Sequence, residues 1–254
     1  MWLRGPHEIR APFLMQQLRK LAMVGTGGGR RGVRGVIFDM DGTLTIPCLD
    51  FVKMRRRAGE ALGRDIGRGD MLAEVAKEEC EEKRAAALRA IKEVEREGHE
   101  KMKLARDVSA VCSFLDERNI PRAILTRNSR ESLDYFHDRL PNIPEFAPAV
   151  SRDCGFRPKP HPDALKHISE NVWGFSPTEV IMIGDSAKDD VRAGKRAGAI
   201  TVLLGDEIRR EDLPDEEHEP HFRIKDLSEF KQLVLDNFEL VPESLESLEV
   251  GQEK

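Results

Sequence analysis

Three apolar runs in this 254-residue chain each end in a side chain that can work on an anion. Val36-Ile37-Phe38 ends in Asp39, Ala123-Ile124-Leu125 in Thr126, and Ile181-Met182-Ile183-Gly184 in Asp185. Asp41 lies two residues past Asp39; Asp189 and Asp190 lie four and five past Asp185. Carboxylates gathered in one place resist being charged together unless a cation joins them. Hard oxygen donors with no His or Cys among them favour Mg²⁺. Lys159 stands between Pro158 and Pro160, which restrict its backbone and suit a positive charge that must hold position.

These parts suggest phosphoryl transfer. A carboxylate attacking a phosphate ester is an anion approaching an anion, and a metal and a lysine offset that repulsion. Asp39 is the expected nucleophile, forming an aspartyl phosphate. Asp41 is the expected acid and base, protonating the leaving oxygen and then taking a proton from the hydrolytic water. Thr126 is expected to hydrogen-bond a phosphoryl oxygen, with Arg127, Asn128 and Lys159 also on the substrate. Taken singly, each residue has a commoner use: Asp41-Gly42 is a frequent turn pair, Thr126-Arg127-Asn128 an ordinary cap, and Asp189 and Asp190 first-turn acids. Their order, and their positions at strand ends, favour the chemical reading.

The elements around them must bring these ends together. Val33–Asp39, Pro121–Thr126, Val180–Gly184, Ile200–Leu204 and His221–Ile224 read as strands, with a short one near Ala149. Helical patterns cover about Asp50–Gly63, Asp70–Glu97, Ala105–Arg118, Ser129–Leu140, Pro162–Glu170, Lys188–Ala197 and Asp226–Asn237. Ser176-Pro177-Thr178-Glu179 is a capping box on a single turn. Such alternation predicts an α/β fold, a Rossmann-like doubly wound parallel sheet that binds its ligand at the carboxyl ends of the strands. Residues 47–103 are too long for one crossover helix and read as a small inserted α-helical subdomain. The expected division is a basic extension over 1–32, the sheet domain over 33–46 and 104–238, and an acidic tail over 239–254. Arg55, Arg56 and Arg57 cannot all share one helix face, so at most one or two meet a ligand.

At its chemical residues the chain resembles the haloacid dehalogenase (HAD) superfamily, over about Val33–Glu207. Asp39-Met40-Asp41-Gly42-Thr43 is similar to the first motif, Thr126 to the second, Lys159 to the third, and Gly184-Asp185-Ser186-Ala187-Lys188-Asp189-Asp190 to the acidic fourth. The resemblance implies Mg²⁺ held by the Asp39 carboxylate, the Asp41 backbone carbonyl and Asp185, with Asp189 or Asp190 as the second acid of the fourth motif. It makes the insertion a C1-type cap, and small phosphatase-like members are the nearest likeness. A dehalogenase is disfavoured by Asp41, which the family's dehalogenases lack. A phosphosugar mutase and a non-catalytic binding protein of the same fold are the alternatives to a phosphatase.

Composition sets the outer bounds. Apolar residues make up 39% and charged residues 34%, a soluble globular balance. The net charge of −5 argues against nucleic-acid binding, and no apolar run approaches the roughly 20 residues of a membrane span. Cys48, Cys80, Cys112 and Cys154 form no C-x-x-C pair, which fits a reducing compartment. Residues 1–35 carry seven basic residues and one acid, leaving the remainder acidic. This leader, with Leu14, Leu18 and Leu21 at helical spacing, is what a mitochondrial or plastid transit segment looks like; without targeting the chain is expected in the cytoplasm. Gly27-x-Gly29-x-x-Gly32 precedes the first strand instead of following it, so it reads as a linker and not as a dinucleotide site. The substrate's identity and the oligomeric state have no sequence signal.

Overall fold

The computed structural model describes residues 30–139, 145–205 and 214–242. Most of the basic leader and most of the acidic tail lie outside these residues. A six-stranded sheet runs in the order β4-β3-β2-β5-β6-β7, every pairing parallel. Its strands are β2 (Gly35–Phe38), β3 (Arg122–Leu125), β4 (Ala149–Val150), β5 (Val180–Gly184), β6 (Ile200–Leu204) and β7 (Phe222–Ile224). Both faces are covered, so the central strands read as continuous apolar runs without polar alternation. Within β2 the pleat sends Val36 and Phe38 to one core, with Leu115, Leu133 and Phe230, and Ile37 to the other, with Leu165 and Met182. The predicted doubly wound α/β sheet is the observed fold.

Chain order reverses around β2. From β2 the chain moves outward through β3 to β4, then returns to β5 on the other side of β2. Val36 is level with Arg122 on one neighbour and with Ile181 on the other. The carboxyl ends of β2, β3 and β5 therefore lie side by side at the switch point, where an open α/β sheet binds its ligand.

The insertion between β2 and β3 has α1 (Phe51–Leu62), α2 (Met71–Ala76) and α3 (Glu81–His99). Asp50 caps α1 by accepting from Lys53 N at 2.8 Å, and Gly63, in the left-handed region, ends it. The single helix predicted over Asp70–Glu97 is two. Glu78 Oε1 accepts from Cys80 N at 3.1 Å, and its carbonyl accepts from Arg84 Nη1 at 2.9 Å, which gives the backbone local partners in place of helical ones. Met54, Leu62, Val75, Ile91 and Val94 form a core of the insertion's own. Its two connections to the sheet run side by side: Ile46 N donates to Lys103 O and Ala105 N to Leu44 O, both at 2.9 Å.

The remaining helices are α4 (Val108–Asp116), α5 (Arg130–His137), α6 (Asp163–Lys166), α7 (Arg192–Ala197) and α8 (Phe230–Asn237). Wide π-type turns extend α6 through His167–Val172 and precede α7 over Ala187–Val191. Arg31–Val33 (β1) pairs in parallel with Phe238–Leu240 (β8), which joins the first and last described segments. The sequence reading placed residues 31, 32, 239 and 240 outside the domain. Phe238 is what draws the end of the chain in, packing edge-on to Phe222 at 5.4 Å between ring centroids. The four cysteines are unpaired, and no helix among the described residues is long and apolar enough to cross a membrane.

One histidine makes the sheet acid-sensitive. His221 Nδ1 accepts from Thr201 N at 3.0 Å, so the ring is neutral where it secures the start of β6. Burial, with help from Lys195 and Arg31, pushes its pKa down from 6.5 to about 3. The unfolded chain therefore binds a proton below about pH 6.5 that the native protein refuses down to about pH 3. This group's contribution to stability is complete above pH 6.5 and is lost as pH falls through that window. Denaturant titrations should show wild type about 2 kcal/mol less stable at pH 5 than at pH 7.5 on its account. His221→Asn, which keeps an acceptor but cannot titrate, should flatten this slope; an unchanged slope would remove His221 as its source.

Candidate active site

Asp39 follows β2 directly, and its N–H donates to Ile183 O at 2.9 Å, tying it to the end of β5. The chain then wraps around one carbonyl: Leu44 N and Thr45 N both donate to Met40 O at 2.9 Å. This loop folds Asp41 back over the strand end. Thr45 Oγ1 lies 3.4 Å from Asp41 Oδ1, and Asn128 Nδ2 donates to Asp41 Oδ2. Gly42 has φ +80°, and a Cβ there would strike the Asp185 carboxylate. Only glycine meets both demands.

Thr126 follows β3, buried, with its Oγ1 accepting from Asn128 N at 3.1 Å. Lys159 is 3% exposed and reaches the same point from the loop after β4. Its Nζ donates to Asp39 Oδ1 at 2.5 Å and to Leu125 O at 2.7 Å, and lies 2.6 Å from Asp190 Oδ1.

Asp185 follows β5 directly, and the wide turn after it sets Asp189 and Asp190 apart. Val191 N donates to Ser186 O at 3.2 Å, the five-residue spacing that carries Asp190 inward. Asp190 is 2% exposed, and its Oδ2 accepts from Ser186 N at 3.0 Å. Gly184 makes room for it, since a Cβ there would overlap its carboxylate. Oxygens of Asp39, Asp185 and Asp190 all lie within 4.8 Å of one another. This all-oxygen cluster, buried at Asp39 and Asp190 and exposed at Asp185, has the donors a hard divalent cation takes. Asp189 is not part of it: its Oδ2 accepts from Arg127 Nη1 at 3.1 Å.

Arg127 differs from its expected use as well. Its fork is committed to Asp189 and to Asp70 on the insertion. Asn128 is on Asp41, a role that depends on contact across 87 residues and leaves no local trace. Of the arginine run, Arg56 pairs with Glu60 at 2.7 Å and Arg57 with Glu97 at 3.3 Å. Arg55 holds the loop before α2.

Four carboxyls share the consequences of crowding. Burial first, then neighbouring carboxylates, pushes Asp185 up to about 6; burial raises Asp39 and Asp41 to about 6 and Asp190 to about 7. Lys159 and hydrogen bonds pull the other way without restoring ordinary values. Burial alone would lower the Lys159 pKa, but Asp190 and Asp39 outweigh it and hold the ammonium charged.

A cavity of about 640 Å³ lies over these groups, roofed by the insertion. Core and insertion are bridged beside it. Arg152, after β4, grips Glu95 of α3 with both guanidinium nitrogens, one at 2.9 Å. Glu95 is 3% exposed, so breaking the pair strands a buried charge. Arg152→Ala should cost about 3–5 kcal/mol in denaturant unfolding, whereas an apolar replacement of both partners should recover much of it. A loss under about 1 kcal/mol would show that the pair is solvated.

The sequence model of the haloacid dehalogenase-like hydrolases matches residues 33–198, which hold every site residue just described. A haloacid dehalogenase-like hydrolase domain-containing protein of Arabidopsis thaliana is 39% identical over 230 residues, covering 85% of this chain and 90% of its own. A phosphoglycolate phosphatase of Photobacterium profundum is 28% identical over 196 residues, covering 68% of this chain and 83% of its own. The crystal structure of a hydrolase from Pseudomonas syringae shares the fold with a TM-score of 0.64 at 22% identity, over 79% of this chain and 97% of that one. The strand-end carboxylates, the buried lysine and this extent of likeness lead to one assignment: the chain belongs to the haloacid dehalogenase-like hydrolase family.

Proposed function

We propose that the protein is a Mg²⁺-dependent phosphatase that hydrolyses a small phosphorylated metabolite through an aspartyl phosphate on Asp39. The observation that carries this reading is the pairing of Asp39 with the buried Lys159 at 2.5 Å, with Asp41 held two residues away by Thr45 and Asn128. The phosphatase relative from Photobacterium profundum supports the reaction class.

An Asp39 carboxylate oxygen attacks phosphorus, and the bond from phosphorus to the ester oxygen breaks. Asp41 gives its proton to the departing oxygen, which leaves as the alcohol. Asp41, now ionised, takes a proton from water as that water attacks phosphorus. The bond to Asp39 breaks, releasing inorganic phosphate and the free carboxylate. A carboxyl pushed up to about 6 suits a group that must both give and take a proton near neutrality. Thr126 Oγ1 accepts from Asn128 N, which leaves its own proton for a phosphoryl oxygen. Lys159 supplies a fixed positive charge beside the attacking carboxylate. Mg²⁺, when bound, offsets the charge of the phosphoryl group and its nucleophile; Asp39, Asp185 and Asp190 would hold it, with the Asp41 carbonyl by family resemblance.

The test is phosphate release from a panel of phosphorylated metabolites, with Mg²⁺ and with EDTA, followed by analysis of the organic product. Mg²⁺-dependent release of phosphate and free alcohol is expected. An isomeric sugar phosphate in place of free phosphate would make the protein a mutase. The same assay tests the metal site: Asp185→Asn should raise the Mg²⁺ concentration for half-maximal activity at least tenfold and reduce the Mg²⁺-induced rise in melting temperature. Unchanged titrations would take Asp185 out of the site.

A further inference from the structure

The loop between α1 and α2 holds one arginine free above the carboxylates. Arg55 donates through Nη1 to Gly67 O at 2.7 Å and through Nη2 to Gly69 O at 2.8 Å, gripping the residues on either side of Arg68. Gly67 N donates to Asp65 Oδ1 at 2.8 Å. Asp70 closes the loop: its Oδ1 caps α2 through Ala73 N at 3.0 Å, and its Oδ2 takes Arg127 from the sheet domain. Residues 65, 67, 69 and 70 are thus all held, and Arg68 alone among 65 and 67–70 has a long side chain with no holding role. No hydrogen bond or ion pair to a described residue engages its guanidinium, yet it lines the cavity that Asp39, Thr126 and Lys159 floor.

The other arginines of this cavity are spent. Arg55 is on the loop carbonyls, Arg127 on Asp70 and Asp189, and Arg152 on Glu95. Lys188, also uncommitted, belongs to the acidic turn itself and therefore to the phosphoryl end. An uncommitted guanidinium exposed at the cavity, on a loop whose backbone is held on both sides of it, is suited to a second anion, since its planar fork matches a carboxylate or a phosphate with two hydrogen bonds. Met71 and Leu72 of α2 line the same cavity next in the chain, an apolar wall for carbon between two charged ends.

We propose that Arg68 is the specificity-determining residue and that the leaving group of the substrate carries a second anionic group, a carboxylate or a phosphate, which Arg68 binds. This rests on the phosphatase reading for which end of the substrate reacts. The test uses chain-length series of alkyl phosphates, ω-phosphorylated carboxylates and α,ω-bisphosphates of about two to six carbons, a span suited to a cavity of this class. Calorimetry with Mg²⁺-loaded Asp39→Asn protein measures binding without turnover, and wild-type phosphate release measures kcat/KM.

Anionic series at their best length should exceed the matched alkyl phosphates by about 10- to 100-fold in both readouts. Arg68→Gln should abolish that preference while leaving alkyl phosphates within about threefold, and Arg68→Lys should retain part of it for phosphate more than for carboxylate. The better of the two anionic series identifies the second group. Equal binding of all three series, a preference that survives Arg68→Gln, or no binding of any series would overturn the inference. Phosphate release without an anionic preference would leave the phosphatase standing and remove the role of Arg68. Anion-selective binding without any release would do the reverse.

Discussion

Asp39→Asn is expected to lower phosphate release by about 10⁴-fold or more, because the amide has no lone pair basic enough to attack phosphorus. The substitution is nearly isosteric, so the end of β2 keeps its packing and its N–H bond to Ile183 O. Lys159 does not become a stranded cation, since Asp190 lies 2.6 Å from its Nζ and Leu125 O accepts from it at 2.7 Å. The fold should survive, and near-wild-type unfolding midpoints would verify that the loss is chemical. The loss should fall in kcat, since the cavity and Arg68 remain to bind substrate. Residual activity within about tenfold of wild type would mean that water attacks phosphorus directly and that Asp39 only helps hold the cation.

The part of this site legible in sequence is the part written in local pattern. Strands covered on both faces must be apolar throughout, so β2, β3 and β5 stand out, and a polar residue at the end of each is conspicuous. The parallel alternation then forces those ends together. Lys159 was legible through its flanking prolines. The choice between Asp189 and Asp190 was not, because it depends on whether the turn after Ser186 is wound with four or five residues, and capping patterns look the same in both. The roles of Asn128 and Arg127 were not legible either. Each touches a residue more than fifty positions away, Asp41 within the sheet domain in one case and Asp70 on the insertion in the other, and such pairs exist only once the chain has folded. The division of the long cap pattern into α2 and α3 was hidden for a different reason: Glu78 is a good helix former in composition, and its bonds from Cys80 N and Arg84 Nη1, made where the backbone leaves the helix, have no trace in the apolar pattern.

Asp41→Asn should separate the two halves of the reaction. For alkyl phosphates a fall in kcat of about 10²- to 10⁴-fold is expected, since both protonation of the leaving oxygen and activation of water are lost. With p-nitrophenyl phosphate the leaving phenolate needs no proton, so the first half should remain fast. The second half should not, because the other carboxyls of the cluster are engaged: Asp39 carries the phosphoryl group, Asp190 faces Lys159, and Asp185 is the carboxylate assigned to the cation. The expected trace is a burst of p-nitrophenolate equal to the enzyme concentration, then a slow steady state, with the mass of one phosphoryl group retained on the protein. The substituted amide still offers an oxygen to Asn128 Nδ2, so the loop around Met40 O keeps its shape and the burst is not an effect of misfolding. A linear trace at a uniformly reduced rate would show that Asp41 acts before the chemical steps and not in them. A linear trace at the wild-type rate would exclude it as the base, and the proton would then have to leave through the phosphoryl group itself.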